Sequence, residues 1–287
     1  MSQLRFDHAD LGQYQLQASV PDFAAEMAAY RRASDASRAA LPGFFSSHAY
    51  GPDPVERLDV YAAREPGSPL YLFIHGGYWR MLGREDSAMM ARSLHAAGAA
   101  VACLDYGLAP AYTLPQIVAQ CERALEWIAR HAGRFNADPD RIHVSGSSAG
   151  AQLAGMLLAS DAARNERRIH SASLISGVMD LHPLVHTPVN DWLKLDQTLA
   201  QAFSPALHPP AAGTPVLVAW GALEPAVMQA QSIHYAQQCR LAGCAVRSMA
   251  IAGRNHFNVL MDLEQGDSAL TLAVLQTMNC HAKEETP

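Results

Sequence analysis

Gly146-Ser147-Ser148-Ala149-Gly150 sets a serine between two glycines, two residues before it and two after. Chance alone would produce about 0.1 such patterns in a chain of this length. The run Arg141–Ser145 before it reads as a short apolar strand, and Ala151–Leu158 after it as the start of a helix. A serine on a sharp strand-to-helix turn presents its hydroxyl at the end of the strand. Crowding of the backbone at such a turn requires small flanking residues. Ser148 has glycine at both offsets; Ser145 and Ser147 do not. A serine hydroxyl is a poor nucleophile at neutral pH, so it needs a base, and the base needs a carboxylate to orient it.

The histidines after Ser148 are His170, His182, His186, His208, His234, His256 and His281. Only His256, in Gly253-Arg254-Asn255-His256-Phe257, directly follows a late strand-like run, which makes it the candidate base. Glu224 stands just beyond the strand-like run Pro215–Trp220 and is the candidate acid. Asp180, Asp191 and Asp196 are its rivals, Asp180 above all, because it too follows a strand. Glu224 also suits a plainer role, complementing the dipole of a helix that starts at Pro225. Upstream, the five-residue apolar run Leu70–Ile74 ends in His75-Gly76-Gly77-Tyr78-Trp79. Glycines there let backbone N–H groups approach a substrate oxygen that becomes negative during attack on a carbonyl. Tyr78 and Trp79 are candidate walls of an aromatic substrate pocket, although a tryptophan in this position also suits a packed core.

These residues need a scaffold, and the chain alternates strands and helices. Strands are expected at Arg57–Tyr61, Leu70–Ile74, Ala99–Asp105, Arg141–Ser145, Ser171–Ser176, Pro215–Trp220 and Ala245–Ile251. Helices are expected at Asp86–Ala97, Leu114–His131, Ala149–Ser160, Pro225–Leu241 and Asn258–Met278. Such alternation implies an α/β fold, a mostly parallel central sheet with helices on both faces. Ligands in such sheets bind at the carboxyl ends of strands, where every motif above falls. Residues 1–45 read as a helical N-terminal segment. Residues 179–214 hold five prolines and no clear strand, and read as a lid-like insertion over the site. One domain spanning 1–287 is the simplest organisation, without repeats or low-complexity linkers.

The chain has 287 residues, is 49% hydrophobic and 17% charged, and carries a net charge of −6. With no basic block, nucleic-acid and anionic-membrane partners are not expected. No apolar run is long enough for a transmembrane helix, and the first eight residues lack the apolar segment of a signal peptide, so a cytoplasmic location is expected. Cys103, Cys121, Cys239, Cys244 and Cys280 form no CxxC pair, which argues against a zinc site or a disulfide framework. Cys103 reads as a buried thiol. No metal or other cofactor is expected; the partner is a small-molecule acyl or formyl substrate, and a homo-oligomer is possible.

Together the motifs resemble a known family. Asp105-Tyr106-Gly107-Leu108-Ala109-Pro110 is similar to a signature of hormone-sensitive-lipase-like esterases within the α/β-hydrolases. His75-Gly76-Gly77-Tyr78-Trp79 resembles still more the HGGxW motif of the kynurenine formamidase (arylformamidase) family. The likeness continues through Thr113–Ile117, Ser176–Leu181, Gln231-Ser232 and Gly253–Phe257, and covers nearly the whole chain. It implies an α/β-hydrolase fold and a metal-free serine hydrolase with Ser148, Glu224 and His256 as triad. It also implies an oxyanion hole from Gly77, Tyr78 and Ala149, with His75, Gly76 and Trp79 shaping the motif and substrate pocket. The chain departs from the family at Ser147, where relatives carry Asp or His, and at Gly107, where the lipase-like branch has Arg. Glu224 stands where Asp is commoner. The implied activity is arylformamidase, with general short-chain carboxylesterase as the alternative and a non-catalytic binding role on the same scaffold as a remote one.

Overall fold

The computed structural model describes residues 8–166 and 168–279. Residues 1–7 of the expected helical segment, and Cys280 and His281, lie outside them. Eight strands form one sheet: β1 (Phe45–Ala49), β2 (Arg57–Tyr61), β3 (Ser68–Ile74), β4 (Ala100–Leu104), β5 (Ala137–Ser147), β6 (Ile169–Ile175), β7 (Pro215–Gly221) and β8 (Ala245–Ile251). Their order is β1-β2-β4-β3-β5-β6-β7-β8. The first two pairings are antiparallel and the remaining five parallel. The helices are α1 (Phe23–Ala40), α2 (Ala91–Ala96), α3 (Leu114–His131), α4 (Ala149–Arg164), α5 (Asn190–Leu193), α6 (Gln197–Ala202), α7 (Ala226–Leu241) and α8 (Ala269–Thr277).

Side chains alternate across a strand, so one central strand feeds two cores. Leu70, Leu72 and Ile74 of β3 point to the face packed by α3, α4 and α7. Tyr71 and Phe73 point to the face covered by α1, α2 and α8. A strand buried on both faces reads as a continuous apolar run, as β3 does. Helix α3 starts at a capping box, in which Thr113 and Gln116 satisfy each other's backbone N–H groups, and buries one stripe that includes Ile117, Cys121, Ala124 and Ile128.

Several expected elements differ. The expected helix 86–97 is a 3-10 turn at Arg84–Asp86 followed by the shorter α2. Between them, Ala88 N–H donates to Ser34 Oγ and the Met89 carbonyl accepts from Ser37 Oγ, so α1 supplies bonds a helix would have made internally. The expected helix 258–278 is a 3-10 stretch, Asn258–Glu264, then a break and α8. Ser268 Oγ accepts the Thr271 N–H and starts α8 afresh. The N-terminal segment is helical from His8 to Ala40 with interruptions, but β1 follows as an antiparallel edge strand that the pattern of Phe45–Ala49 does not announce. No helix of the described residues is long and apolar enough to cross a membrane. Among those residues no group of three His, Cys, Asp or Glu is placed to hold a metal ion.

Leu72 is completely buried between the two neighbouring strands of the central sheet. Leu72→Ala is expected to cost about 2–5 kcal/mol through lost burial and a residual cavity. Thermal melting of the folded variant checks this; an unchanged melting temperature would contradict the burial.

Candidate active site

Strand β5 ends at Ser147 and α4 begins at Ala149, so Ser148 is the single residue of the turn. Its backbone takes φ 56° and ψ −118°, a region non-glycine residues rarely occupy. The turn is tied down on one side by Ser148 N–H to the Ile175 carbonyl at 2.9 Å. The glycines serve the close approach anticipated for them. A Cβ on Gly146 would run into the Gly150 backbone, and one on Gly150 into the carbonyl oxygens of Ile74 and His75. Strand β3, strand β5 and helix α4 can therefore meet at this point only as backbone against backbone.

His256 lies in the loop after β8, with Nε2 2.9 Å from Ser148 Oγ and Nδ1 3.1 Å from Glu224 Oε2. Glu224 leaves the end of β7, and its other oxygen accepts from Ser176 Oγ at 2.5 Å and from Gly221 N–H at 2.6 Å. The carboxylate is thus held on both oxygens while buried, and this hydrogen bonding offsets the cost of burying a charge. Asp180, the main rival, turns elsewhere: its Oδ1 bonds His182 Nδ1 at 2.7 Å and accepts the His182 N–H at 3.0 Å. Asp191 lies in α5 and Asp196 caps α6 by accepting the Leu199 N–H. The structure therefore brings Ser148, His256 and Glu224 together and leaves the three aspartates out.

The glycine loop after β3 faces the same serine. Gly76 packs so closely on the Ser147–Ser148 backbone that a Cβ would meet the Ser147 carbonyl at 2.8 Å. Gly77 has φ 97°, and its carbonyl accepts from the N–H groups of Arg80 and Met81, which closes the loop as a tight turn. Tyr78 and Trp79 continue it at φ 49° and 57°, left-handed backbone unusual for such side chains. Among the described residues, the N–H groups of Gly77, Tyr78 and Ala149 meet no protein acceptor. Ala149 is the first residue of α4, where a helix always leaves its amides unpaired. Gly77 and Tyr78 line the cavity at Ser148, and Ala149 directly follows that serine in the chain; unpaired N–H groups can hold hydrogen bonds to a negative oxygen.

Two motif residues do not reach this cavity. Trp79 is fully buried and its Nε1 donates to Gln152 Oε1 at 3.0 Å, locking the loop onto α4; it is a core residue, not a pocket wall. His75 is also buried, stacked on Tyr106 at 4.2 Å, with Nδ1 bonded to the Gly76 carbonyl at 2.8 Å. Burial pushes its pKa below the usual histidine range, so it holds the loop as a neutral ring. Tyr78 does line the cavity, and its hydroxyl donates to the Tyr14 carbonyl at 2.5 Å.

Apart from the loop, the elbow and His256, the walls are mainly apolar, with Gln17 and Ser87 among them, and many come from a part of the chain without any chemical signature. Leu16 belongs to an N-terminal 3-10 turn, and Phe23, Met27 and Tyr30 belong to α1. Met81, Leu82, Phe257 and Leu260 complete the enclosure. The same N-terminal helix anchors the histidine loop. Tyr30 hydroxyl donates to the Phe257 carbonyl at 2.6 Å, Asn255 Nδ2 donates to Glu26 Oε1 at 2.9 Å, and the rings of Phe23 and Phe257 meet edge to face at 5.1 Å. Residues 179–214, expected over the site, do not line this cavity. Within this segment Trp192 lies against the outer side of the glycine loop, its Nε1 donating to the Tyr78 carbonyl at 3.0 Å. Sequence reasoning missed Ser176 and the α1 residues; the one signal for Ser176 was its position at the carboxyl end of a central strand.

A family model described as the alpha/beta hydrolase fold matches residues 71–260, and the chain belongs to that family. Within it, the chain is similar to the kynurenine formamidase of Danio rerio, 30% identical over 236 residues that make up 79% of each protein. Of solved structures, a carboxylesterase from a metagenomic library is similar at a TM-score of 0.69 and 25% identity, over 88% of this chain and 97% of that one. A proposed thioesterase of a Silicibacter species shares the fold at a TM-score of 0.80 and 24% identity, over 92% of this chain and 97% of that one. The protein is a hydrolase, and the resemblance read from HGGYW and the Asn255-His256-Phe257 run holds across most of its length.

Three variants probe the geometry. Glu224→Gln keeps the shape but removes the charge that orients His256, and kcat is expected to fall by about 10³–10⁴-fold. Asp180→Asn is expected to spare kcat; steady-state kinetics that rank the two in the opposite order would move the acid to Asp180. Tyr30→Phe removes one bond to the histidine loop and is expected to lower kcat several-fold, on the order of the roughly 1 kcal/mol typical of one hydrogen bond.

Proposed function

We propose that the chain is a serine hydrolase that removes a small acyl or formyl group from an aryl amide or ester through an acyl-enzyme, with an aryl formamide such as N-formylkynurenine as the substrate. The observation that carries this reading is the continuous relay Glu224–His256–Ser148 beneath the free amides of the glycine loop. The 30% identity with a kynurenine formamidase over most of both chains supports the formamide as substrate within that chemistry.

In the reaction, His256 Nε2 accepts the Ser148 hydroxyl proton as Oγ attacks the carbonyl carbon. His256 Nδ1–H stays bonded to the Glu224 carboxylate, which stabilises the imidazolium. The carbonyl π electrons move onto oxygen, where N–H groups of Gly77, Tyr78 and Ala149 hold the negative charge. One such donor contributes about 2.7–4 kcal/mol to the barrier. Collapse breaks the bond to the leaving nitrogen or oxygen, which takes its proton from His256. Water then gives its proton to His256, attacks the acyl-enzyme, and releases the acid with Ser148 restored.

The second reading, a short-chain carboxylesterase, is supported by the apolar cavity walls and by similarity to the metagenomic carboxylesterase. Specificity constants for N-formylkynurenine beside p-nitrophenyl acetate and butyrate separate the two readings. The formamide is expected to be preferred, and Ser148→Ala to abolish turnover of all three. Ester turnover with negligible deformylation, also lost in Ser148→Ala, would leave the esterase reading in its place.

A further inference from the structure

A second groove lies against the outer side of the glycine loop, and Leu16, Gln17, Tyr78 and Met81 line both it and the cavity at Ser148. Its base is aromatic. Trp192 meets the Tyr78 ring at 6.4 Å in an edge-to-face arrangement and donates from Nε1 to the Tyr78 carbonyl. The Arg80 guanidinium sits 4.2 Å from the centre of the Trp192 ring. Arg80 is exposed and lines the groove. No carboxylate lines either cavity, and among the described residues none forms an ion pair with Arg80.

By contrast, Arg31, Arg38, Arg84 and Arg123 all face carboxylates. A guanidinium fixed by an aromatic face, and left with its donors uncommitted, is suited to a carboxylate. Arg80 is also part of the tight turn that presents the loop amides, because its backbone N–H donates to the Gly77 carbonyl at 3.0 Å. An anion held by Arg80 is therefore held in a fixed relation to Gly77 and Tyr78.

We propose that this groove takes the leaving half of the substrate and that Arg80 selects leaving groups bearing a carboxylate. The preferred substrates are then acylated aryl amines or phenols whose leaving group carries a carboxylate, an assignment that rests on the acyl-transfer reading above. Arg80 acts here in binding and specificity and takes no part in bond making.

The test compares matched substrates on the full-length protein: N-formylkynurenine against formanilide, and 4-acetoxybenzoate against phenyl acetate. For wild type, the kcat/KM ratio of carboxylate-bearing to carboxylate-free substrate is expected to exceed that of Arg80→Gln by about tenfold or more, the effect of one charge-assisted hydrogen bond. Arg80→Lys is expected to restore part of the ratio, and added salt to reduce it. Equal losses on carboxylate-bearing and carboxylate-free substrates in Arg80→Gln would overturn the proposal, since that result marks a structural role in the loop. Should wild type fail to deformylate either formamide, the formamide reading fails while the ester pair still decides the role of Arg80.

Discussion

The whole site depends on one crowded point, where β3, β5 and the start of α4 meet through backbone atoms alone. Gly146 and Gly150 remove the side chains that would hold these elements apart. Ser148, between them, is left in a strained conformation at φ 56° that presents its hydroxyl toward His256. Strain of this kind persists only where surrounding structure over-determines it. Here the determinants are the parallel pairing of β5 with β3 and β6, the Ser148 N–H bond to Ile175, and the packing of α4. The same approach of strands sets the glycine loop beside the serine, since Gly76 touches the Ser147–Ser148 backbone. Ser148 and the amides of the glycine loop are therefore positioned by one packing constraint.

Around that point the protein builds supports from opposite sides. Behind the glycine loop, Trp79 is pinned to Gln152 of α4, His75 to Tyr106, and the Tyr78 carbonyl to Trp192. Across the cavity, α1 grips the loop carrying His256 through Glu26, Tyr30 and Phe23. Glu224 gains its rigidity from Ser176 and Gly221, both at the ends of central strands. Preorganised donors lower a barrier because they need no rearrangement when charge develops. Nearly every one of these contacts removes freedom from the glycine loop, His256 or Glu224.

Much of this was readable from the chain. Ser148, His256 and Glu224 each lie at the carboxyl end of a strand, and strand ends are marked by short β-branched and apolar runs followed by glycines or turns. The parallel sheet was legible for the same reason: β3 is apolar at every position because both its faces are buried. What escaped were features decided by tertiary contact. The side chains of Ser34 and Ser37 break the helix expected after Asp86, and nothing near Asp86 reports this. The roof of the cavity comes from Leu16, Phe23 and Tyr30, apolar residues of an alanine-rich segment that look like ordinary core. The proline-rich stretch 179–214 suggested a cover, but its Trp192 lies against the outer side of the glycine loop. Trp79 and Tyr78 are adjacent in the same motif, yet one is buried in the core and the other lines the cavity.

The central claim is that Ser148 forms a covalent acyl-enzyme through His256 and Glu224. Intact-protein and peptide mass spectrometry after reaction with a fluorophosphonate tests it most directly. The account predicts one adduct per chain, located on Ser148, absent in Ser148→Ala and formed far more slowly in His256→Ala and Glu224→Gln. An unlabelled wild-type protein that is nevertheless active on acyl substrates, or an adduct at another residue, would contradict it.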